Sequence, residues 1–181
     1  MNVIETSLPG VVILKPEIHR DPRGAIWETW NQARMAEAGL PSIWVQDNFS
    51  VSARNVIRGI HYQVHRPQAK LVRATHGSIL DVAVDLRRSS PSFGRYMAIK
   101  LTAEDGEMLY IPEGFGHAFL ALTKIVGLAY KLTDYYHPES ERTIVWNDSD
   151  LKIQWPVSEL HAILSDRDRN GSAFRSAEVF A

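Results

Sequence analysis

The chain has 181 residues and a formal net charge of -1, with 45% hydrophobic and 23% charged residues. These values are typical of an ordinary globular domain, and the lack of a basic excess argues against a dedicated nucleic-acid binder. The sequence contains no cysteine, so disulfides, thiolate metal sites and cysteine nucleophiles are excluded.

Strand patterns separated by turns dominate the predicted secondary structure. Residues 10–15 predict a short apolar strand, and residues 19–24 a charged turn. Residues 30–38 are the best helix candidate, because Asn31 suits an N-cap, Gly39 suits the end of a helix and Pro41 follows.

Residues 56–63 combine a strand pattern with polar side chains. Period-two alternation divides them between two faces, one with Arg58, Ile60 and Tyr62 and the other with Ile57, Gly59, His61 and Gln63. Gly59 allows a ligand or another backbone to approach closely. A single histidine in a strand is more often a core residue than a catalyst, so the interpretation of His61 depends on the residues around it.

The central and C-terminal parts of the chain continue the strand series. Residues 78–86 alternate, with Leu80, Val82, Val84 and Leu86 on one face and Asp81 and Asp85 on the other. Further strands are predicted at 96–101, 107–111, 117–122, 126–132 and 143–146, with turns at 89–92 and 104–106. This spacing favours an antiparallel sandwich or barrel of the jelly-roll kind. We expect one domain, 1–181, with a barrel core at about 43–156 and short helices or coil over the barrel at 156–181.

The turn Pro-Glu-Gly-Phe-Gly-His at 112–117 is similar to the second motif of the cupin barrels, whose histidine often binds a metal. The first motif normally supplies two histidines two residues apart, but His61 and His65 are four residues apart. That spacing corresponds to ~13 Å along a strand, whereas two ligands of one zinc each lie ~2 Å from it. We therefore predict that His117 is a polar group of a metal-free pocket. Simple closure of the turn is the alternative.

No targeting or membrane segment is predicted. Residues 1–10 contain neither a basic region nor a long apolar run, and no apolar stretch approaches the ~20 residues of a membrane span. The expectation is a cytoplasmic protein.

The chain resembles the nucleotide-sugar epimerases typified by dTDP-4-dehydrorhamnose 3,5-epimerase, a cupin-fold family, from about residue 6 to residue 168. The motifs that carry the resemblance are, in order, Asp21-Pro22-Arg23-Gly24 with Glu28, Val45-Gln46-Asp47-Asn48, Arg58-Gly59-Ile60-His61-Tyr62-Gln63, Lys70-Leu71-Val72-Arg73, Asp81-Val82-Ala83-Val84-Asp85-Leu86-Arg87, Ser90-Pro91-Ser92-Phe93-Gly94, Ile111-Pro112-Glu113-Gly114-Phe115, Tyr130-Lys131, Asp134-Tyr135-Tyr136, Glu141, Trp146-Asn147-Asp148 and Ile153-Gln154-Trp155-Pro156. A dozen motifs in one order make the resemblance highly specific.

The resemblance implies an all-β, cupin-type antiparallel jelly-roll barrel with a few short peripheral helices. It implies an isomerase of dTDP-rhamnose and carbohydrate biosynthesis that inverts the carbons flanking the ketone of a nucleoside-diphosphate 4-keto-6-deoxy sugar. It further implies a homodimer without metal or organic cofactor. The crowding of Ile26, Trp27 and Trp30 in one short stretch gives the dimer modest support.

The same resemblance assigns four catalytic residues. His61 is the expected base, since an imidazole with an ordinary pKa of ~6.5 accepts a proton at neutral pH, and Asp168 is expected to orient it. Lys70 is expected to stabilise the enolate oxygen with a fixed positive charge. Tyr130 is the expected acid. An exposed C-terminal acid is the alternative interpretation of Asp168, and a plain strand tyrosine that of Tyr130.

Substrate contacts are expected from eight further residues. Arg23 and Arg58 resemble the arginines that contact phosphate and sugar, because a guanidinium fork suits pairs of oxygens. Gln46 and Asn48 resemble the pair that reads the nucleotide and sugar. The remaining positions that align with ligand contacts are Glu28, His117, Glu141 and Arg167. Each of the eight has a surface or capping role as its alternative.

Two departures from the family pattern concern specificity. Residues 25–28 read Ala-Ile-Trp-Glu where two phenylalanines usually precede the glutamate, and residues 115–119 read Phe-Gly-His-Ala-Phe instead of Phe-Ala-His-Gly-Phe. The nucleotide base and the number of inverted carbons therefore stay open. The alternatives are an epimerase of one carbon or of another nucleotide sugar, a metal-dependent cupin enzyme, and a non-catalytic sugar-nucleotide-binding module.

Overall fold

A computed structural model describes all residues 1–181 and is almost entirely β, with only two short α-helices. The strands are β1 (Asn2–Glu5), β2 (Val12–Lys15), β3 (His19–Asp21), β4 (Gly24–Ile26), β5 (Gln46–Ala53), β6 (Ile57–Gln63), β7 (Lys70–His76), β8 (Ser78–Asp85), β9 (Tyr96–Thr102), β10 (Met108–Ile111), β11 (Phe115–Ala121), β12 (Ile125–Leu132) and β13 (Glu141–Thr143). The helices are α1 (Gln32–Glu37) and α2 (Asp166–Arg169), with 3₁₀ turns at Pro138–Ser140 and Phe174–Ser176. None of the helices is long and apolar enough to cross a membrane.

Two antiparallel sheets face each other and enclose the core. One has six strands in the order β1-β2-β10-β7-β12-β5, and the other has five in the order β13-β6-β11-β8-β9. Side chains from both sheets, among them Val72, Phe119 and Leu128, form the largest apolar cluster between them. The predicted jelly-roll barrel of the cupin type is confirmed. The six-stranded sheet also contains β1 and β2, which precede the predicted core range of 43–156.

Strand β8 is buried on both faces. Its outer residues, including Val82 and Val84, belong to a cluster to which the C-terminal segment contributes Ala177, with Phe174 and Phe180 packed against it. Its inner face alternates apolar residues of the interior cluster with Asp81 and Asp85, which are both fully buried. The predicted covering of the barrel by residues 156–181 is therefore found, and Asp81 and Asp85 face inwards.

The face assignment predicted for β6 is wrong. On β11, His117 pairs with His61 and Phe119 pairs with Arg58. The two partners are separated by three positions on β6 but by only two on β11, so β6 contains one extra residue between them. This register shift places Arg58 on the same face as His61, whereas Ile60 and Tyr62 belong to the cluster outside the barrel. Strict period-two alternation cannot anticipate an irregularity of this kind.

Gly59 lies at the shift, and the predicted close approach of another backbone is found there. Its φ is +124°, and a Cβ atom at this position would lie only 2.6 Å from the His117 carbonyl oxygen. Glycine is needed because other residues rarely adopt this φ.

Other predicted elements agree in part. The helix at 30–38 is found as α1, with Asn31 as N-cap accepting a hydrogen bond from the Arg34 amide. Residues 19–24, predicted as a turn, form the β3–β4 hairpin. The strand predicted at 143–146 lies earlier, at Glu141–Thr143, and Ile144 instead forms an isolated bridge with Ser172.

Candidate active site

A cavity of about 390 Å³ opens between the two sheets. Its lining is mostly polar and comes from both sheets, from the loop before β13 and from α2. The lining residues are Gln46, Asn48, His61, Tyr62, Gln63, Gln68, Lys70, Tyr130, Leu132, Tyr136, Glu141 and Arg167. Seven of the twelve predicted site residues are therefore brought into one cavity, namely Gln46, Asn48, His61, Lys70, Tyr130, Glu141 and Arg167.

His61 and Asp168 form a buried pair at this cavity. The His61 Nε2 atom lies 2.5 Å from Asp168 Oδ1, and the Asp168 side chain is only 4% exposed. An ionised carboxylate only accepts hydrogen bonds, so this contact places the ring proton on Nε2 and leaves Nδ1 as an acceptor. Burial lowers the pKa of His61, Asp168 opposes this effect, and Arg167 and Lys70 add to it. The imidazole is thus suited to accept a proton at neutral pH.

Helix α2 supplies Asp168 from the segment that covers the barrel. Ser165 is the N-cap, and its side chain accepts a hydrogen bond from the Asp168 amide at 3.1 Å. The segment is joined to the start of β6 by hydrogen bonds between Ile163 and both Asn55 and Ile57. The covering segment therefore fixes the carboxylate relative to the strand that carries His61.

Lys70 lies beside this pair and is almost fully enclosed. Its Nζ atom donates a hydrogen bond to the His61 carbonyl oxygen at 3.2 Å. Burial lowers the pKa of Lys70 to about 8, while Asp81 and Glu141 raise it. Lys70 remains mainly cationic at neutral pH.

The opposite wall of the cavity belongs to the six-stranded sheet. Tyr130 on β12 pairs in register with Asn48 on β5, so both point into the cavity from that sheet. Gln46 donates from Nε2 to Asn48 Oδ1 at 3.0 Å and accepts from the Tyr136 amide at 2.9 Å. These hydrogen bonds therefore fix the side chains of Gln46 and Asn48, the pair predicted to contact the nucleotide and sugar.

Glu141 and Arg167 close the cavity on a third side. Arg167 contacts Glu141 at 2.5 Å, and its second terminal nitrogen lies 3.4 Å from His61 Nε2. Tyr136 donates its hydroxyl to the same Glu141 carboxylate at 2.9 Å. A cation next to His61 disfavours the imidazolium form.

Five predicted residues do not line the cavity, namely Arg23, Glu28, Arg58, His117 and Asp168. Arg23 pairs with Asp21 at the tip of the β3–β4 hairpin, and Glu28 pairs with Arg34 at 3.3 Å. Arg58 donates to the Ser52 hydroxyl and the Val51 carbonyl.

The other two are His117 and Asp168, and Asp168 lies behind His61. His117 lies inside the barrel, where its Nε2 atom is 2.5 Å from Asp81 Oδ1. No group of three or more His, Cys, Asp or Glu side chains is arranged to hold a metal ion.

The sequence analysis missed several residues of the site. The buried Gln63 amide donates to the Arg66 carbonyl and accepts from the His137 amide, which fixes the loop that carries Tyr136. Gln68 anchors the same loop through the Asp134 carbonyl. The Gln63 motif was noted in the sequence, but the partners are backbone groups of a distant loop, and spacing alone carries no signal for them.

Comparison with known proteins places these features in one family. A family model described as dTDP-4-dehydrorhamnose 3,5-epimerase matches residues 5–176. A dTDP-4-dehydrorhamnose 3,5-epimerase of Pseudomonas aeruginosa is 47% identical over 181 residues, which cover 99% of each chain.

Solved structures agree with this match. An epimerase of Legionella pneumophila in complex with dTDP-4-keto-L-rhamnose gives a TM-score of 0.94 at 40% identity, covering 98% of this chain and 94% of that one. A 3'-monoepimerase of Streptomyces bikiniensis in complex with dTDP-quinovose gives a TM-score of 0.90 at 36% identity, covering 96% of this chain and 88% of that one.

The fold and the cavity define a cupin-type barrel with a buried histidine–carboxylate pair, a lysine and a tyrosine around one pocket. The chain belongs to the dTDP-4-dehydrorhamnose 3,5-epimerase family.

Proposed function

We propose that this chain is a dTDP-4-dehydrorhamnose 3,5-epimerase, an isomerase that inverts both carbons flanking the ketone of a dTDP-linked 4-keto-6-deoxy sugar. The observation that carries the proposal is the meeting of His61, Lys70 and Tyr130 in one cavity, with Asp168 behind the histidine. Such a reaction needs a base, a group that stabilises an enolate and an acid. These side chains can supply all three.

In this proposal His61 removes the proton from the carbon next to the ketone. Its Nδ1 atom is not engaged by Asp168, and the nearby carboxylate stabilises the imidazolium that forms. The electron pair left on carbon moves to the carbonyl oxygen and gives an enolate.

Lys70 stabilises that enolate. A fixed ammonium group in a site with little water favours the oxyanion that develops in the transition state. Its hydrogen bond to the His61 carbonyl oxygen keeps it beside the base, so both groups meet the same part of the sugar.

Tyr130 returns a proton from the opposite side. Tyr130 lies on the six-stranded sheet and His61 on the five-stranded sheet, so a sugar bound between them meets the two groups on different faces. A phenol hydroxyl can donate its proton. Delivery to the face opposite abstraction inverts the carbon.

The substrate contacts are proposed from the same geometry. Gln46, Asn48, Glu141 and Arg167 line the cavity and offer hydrogen-bond groups to the nucleotide sugar. Arg58 and His117 are proposed to contact the diphosphate and the sugar respectively. Both lie on the face of the five-stranded sheet that carries His61, with His117 buried and Arg58 exposed.

We propose that Arg23 and Glu28 reach the cavity of a second copy in a homodimer, because they lie away from the cavity of their own chain. An exposed apolar surface supports the pairing. Phe49 and Val51 on the edge strand β5 are 64% and 60% exposed, and Ile26 at the end of the hairpin is 73% exposed. Trp27 and Trp30, in contrast, pack within their own chain. Closed two-fold pairs are the commonest oligomers.

The proposal describes one domain, residues 1–181, that works in the cytoplasm on a nucleotide sugar and not on nucleic acid. A reaction by these groups needs no metal or organic cofactor. We therefore expect protein treated with a chelator to keep its activity, and loss that one particular ion restores would favour a metal-dependent cupin enzyme.

A mass measurement tests the proposed function. The protein is incubated with dTDP- and UDP-linked 4-keto-6-deoxy sugars in deuterated water. The mass increase of each sugar, which counts the incorporated deuterons, is then measured by mass spectrometry. We expect two carbon-bound deuterons in the dTDP sugar and slower uptake in the UDP sugar. No uptake in either would refute the proposal. Uptake of one deuteron would favour the second candidate, an epimerase of a single carbon. The similarity of the fold to that of a 3'-monoepimerase is the observation that favours this candidate.

A further inference from the structure

Asp81 is a buried carboxylate beside the cavity with one oxygen unused. The residue is fully buried on the inner face of β8, and a charge so placed needs compensation. Its Oδ1 atom lies 2.5 Å from His117 Nε2, but its Oδ2 atom is buried and has no hydrogen-bond partner. The hydrogen bond to His117 therefore accounts for only part of this carboxylate's compensation.

Lys70 is the buried cation that the negative charge of Asp81 can stabilise. Its hydrogen-bond partner is the neutral carbonyl oxygen of His61, which does not balance a positive charge. Asp81 is the acidic group that acts most strongly on Lys70, ahead of Glu141. The structure links the two side chains through neighbouring strands: Lys70 contacts the His61 carbonyl oxygen, His61 pairs in register with His117, and His117 contacts Asp81.

The other acids around Lys70 are already engaged. The titratable and charged side chains near it are Asp81 on β8, His61 and Tyr62 on β6, His117 on β11, Tyr130 on β12, Tyr136 in the loop before β13, Glu141 on β13 and Arg167 with Asp168 on α2. Glu141 accepts from Arg167 and Tyr136, and Asp168 pairs with His61. Asp81 is the acid in this set with a carboxylate oxygen that is buried without any hydrogen-bond partner.

We propose that Asp81 is a positioning residue that keeps Lys70 protonated, and that its bond to His117 serves to hold the carboxylate in place for this purpose. The inference rests on the proposed function, in which the Lys70 ammonium stabilises the enolate. If Asp81 merely satisfied His117, removing its charge while keeping its shape would leave Lys70 unaffected.

Asp81→Asn separates the two possibilities, because an asparagine keeps the size and can still accept from His117 but has no charge. The ionisation of Lys70 is followed directly by NMR of labelled lysine side chains, with Lys70→Gln used to assign the signal. In wild-type protein the pKa of Lys70 lies at about 8. We expect Asp81→Asn to lower it by one unit or more, since a neighbouring negative charge favours the cationic form.

Activity then depends on pH in a defined way. A fall of one unit from a pKa of about 8 reduces the protonated fraction at pH 8 from about one half to about one tenth, but changes little at pH 6. The ratio of kcat at pH 8 to kcat at pH 6 should therefore fall about fivefold in Asp81→Asn.

Asp85→Asn is the matched control. Asp85 is the other buried acid on the inner face of β8, but it accepts hydrogen bonds from Arg87, Ser90 and Ser92 at the loop after the strand. Its loss should lower stability and leave both the Lys70 titration and the kcat ratio unchanged.

An unchanged Lys70 titration in folded Asp81→Asn would overturn the inference, even if activity fell. The titration needs no turnover, so this failure is distinct from failure of the proposed function. Should Asp81→Asn not fold, the wild-type protein provides the test. The NMR signal of the Asp81 carboxyl carbon should shift as Lys70 loses its proton near pH 8, and a carboxyl signal that stays constant would contradict the proposal.

Discussion

At the scale of single residues, burial and one or two neighbouring charges explain most of the behaviour of the site. His61 is kept neutral mainly by burial, and Asp168 limits this effect. Lys70 is also buried, yet acids on two sides keep its pKa near 8. The proposed base is therefore deprotonated and Lys70 is protonated in the same range around neutral pH.

His61→Ala tests the assignment of the base. General-base loss typically lowers rates roughly 10²–10⁴-fold, and we expect kcat to fall within that range. His76→Ala, which removes an exposed histidine at the end of β7, is the control and should retain wild-type activity. In wild-type protein the active form of His61 is neutral, so activity should fall as pH drops through a pKa below 6.5. A folded His61→Ala protein within a few-fold of wild type would exclude His61 as the base.

Tyr130→Phe tests the assignment of the acid. Phenylalanine keeps the ring but has no proton to deliver, so we expect the variant to exchange substrate hydrogen for deuterium while forming little inverted product. Tyr96→Phe, on the outer side of β9, is the matched control. Inversion of both carbons at the wild-type rate by Tyr130→Phe would show that another acid or water supplies the proton.

The sequence allowed the proposed catalytic residues to be predicted, but not the residues that hold them in place. His61, Lys70 and Tyr130 belong to motifs that can be recognised, and the structure brings all three to one cavity. Asp81 also lies in a recognised motif. Its significance comes from burial and from His117 on the neighbouring strand, which depend on pairing between distant segments.

At the scale of elements, local signals predicted the type of structure better than its register. The cap at Asn31 located α1, and the alternation along β8 identified its two faces correctly. The register shift on β6 was not predictable from spacing, because it arises where β6 meets β11 around Gly59. The five-stranded sheet therefore sets which side chains share a face with His61.

Gly59→Ala tests the importance of this element. The positive φ and the contact with the His117 carbonyl oxygen both oppose a methyl group. Backbone strain typically costs of order 1–3 kcal/mol and overpacking adds a similar amount, so we expect a loss of about 3 kcal/mol or more in the free energy of unfolding. Gly39→Ala has φ +69° but open space around it and should cost about 1–2 kcal/mol. Equal losses in urea titrations of the two variants would show that the close packing at Gly59 contributes nothing.

At the scale of the whole molecule, the positions of Arg23 and Glu28 need an explanation. Both resemble substrate-contacting residues of the family, yet both lie outside the cavity of their own chain. Their position follows from the β3–β4 hairpin and the start of α1, both of which lie outside the two main sheets. A homodimer accounts for them if the hairpin of one copy reaches the cavity of the other.

Sedimentation velocity tests this arrangement. We expect a particle of twice the 20.5 kDa chain at micromolar concentration. Phe49→Asp, which places a charge on the exposed apolar edge strand, should shift the mass towards the monomer and lower activity together, because the contributed residues are lost. Lys152→Asp is the control, because Lys152 is exposed and lies beside β9 in the five-stranded sheet, not on β5. A fully active monomer would contradict the proposed sharing of residues.

The central claim is that one cavity inverts both carbons next to the ketone by proton removal and return. Proton NMR of the dTDP-linked 4-keto-6-deoxy sugar in deuterated water measures this directly, because each carbon has its own signal. We predict that the signals of the hydrogens on both flanking carbons disappear with wild-type protein, with product of inverted configuration at both positions, and that neither disappears with His61→Ala. Loss of one signal only, or unchanged exchange in the His61 variant, would contradict the account.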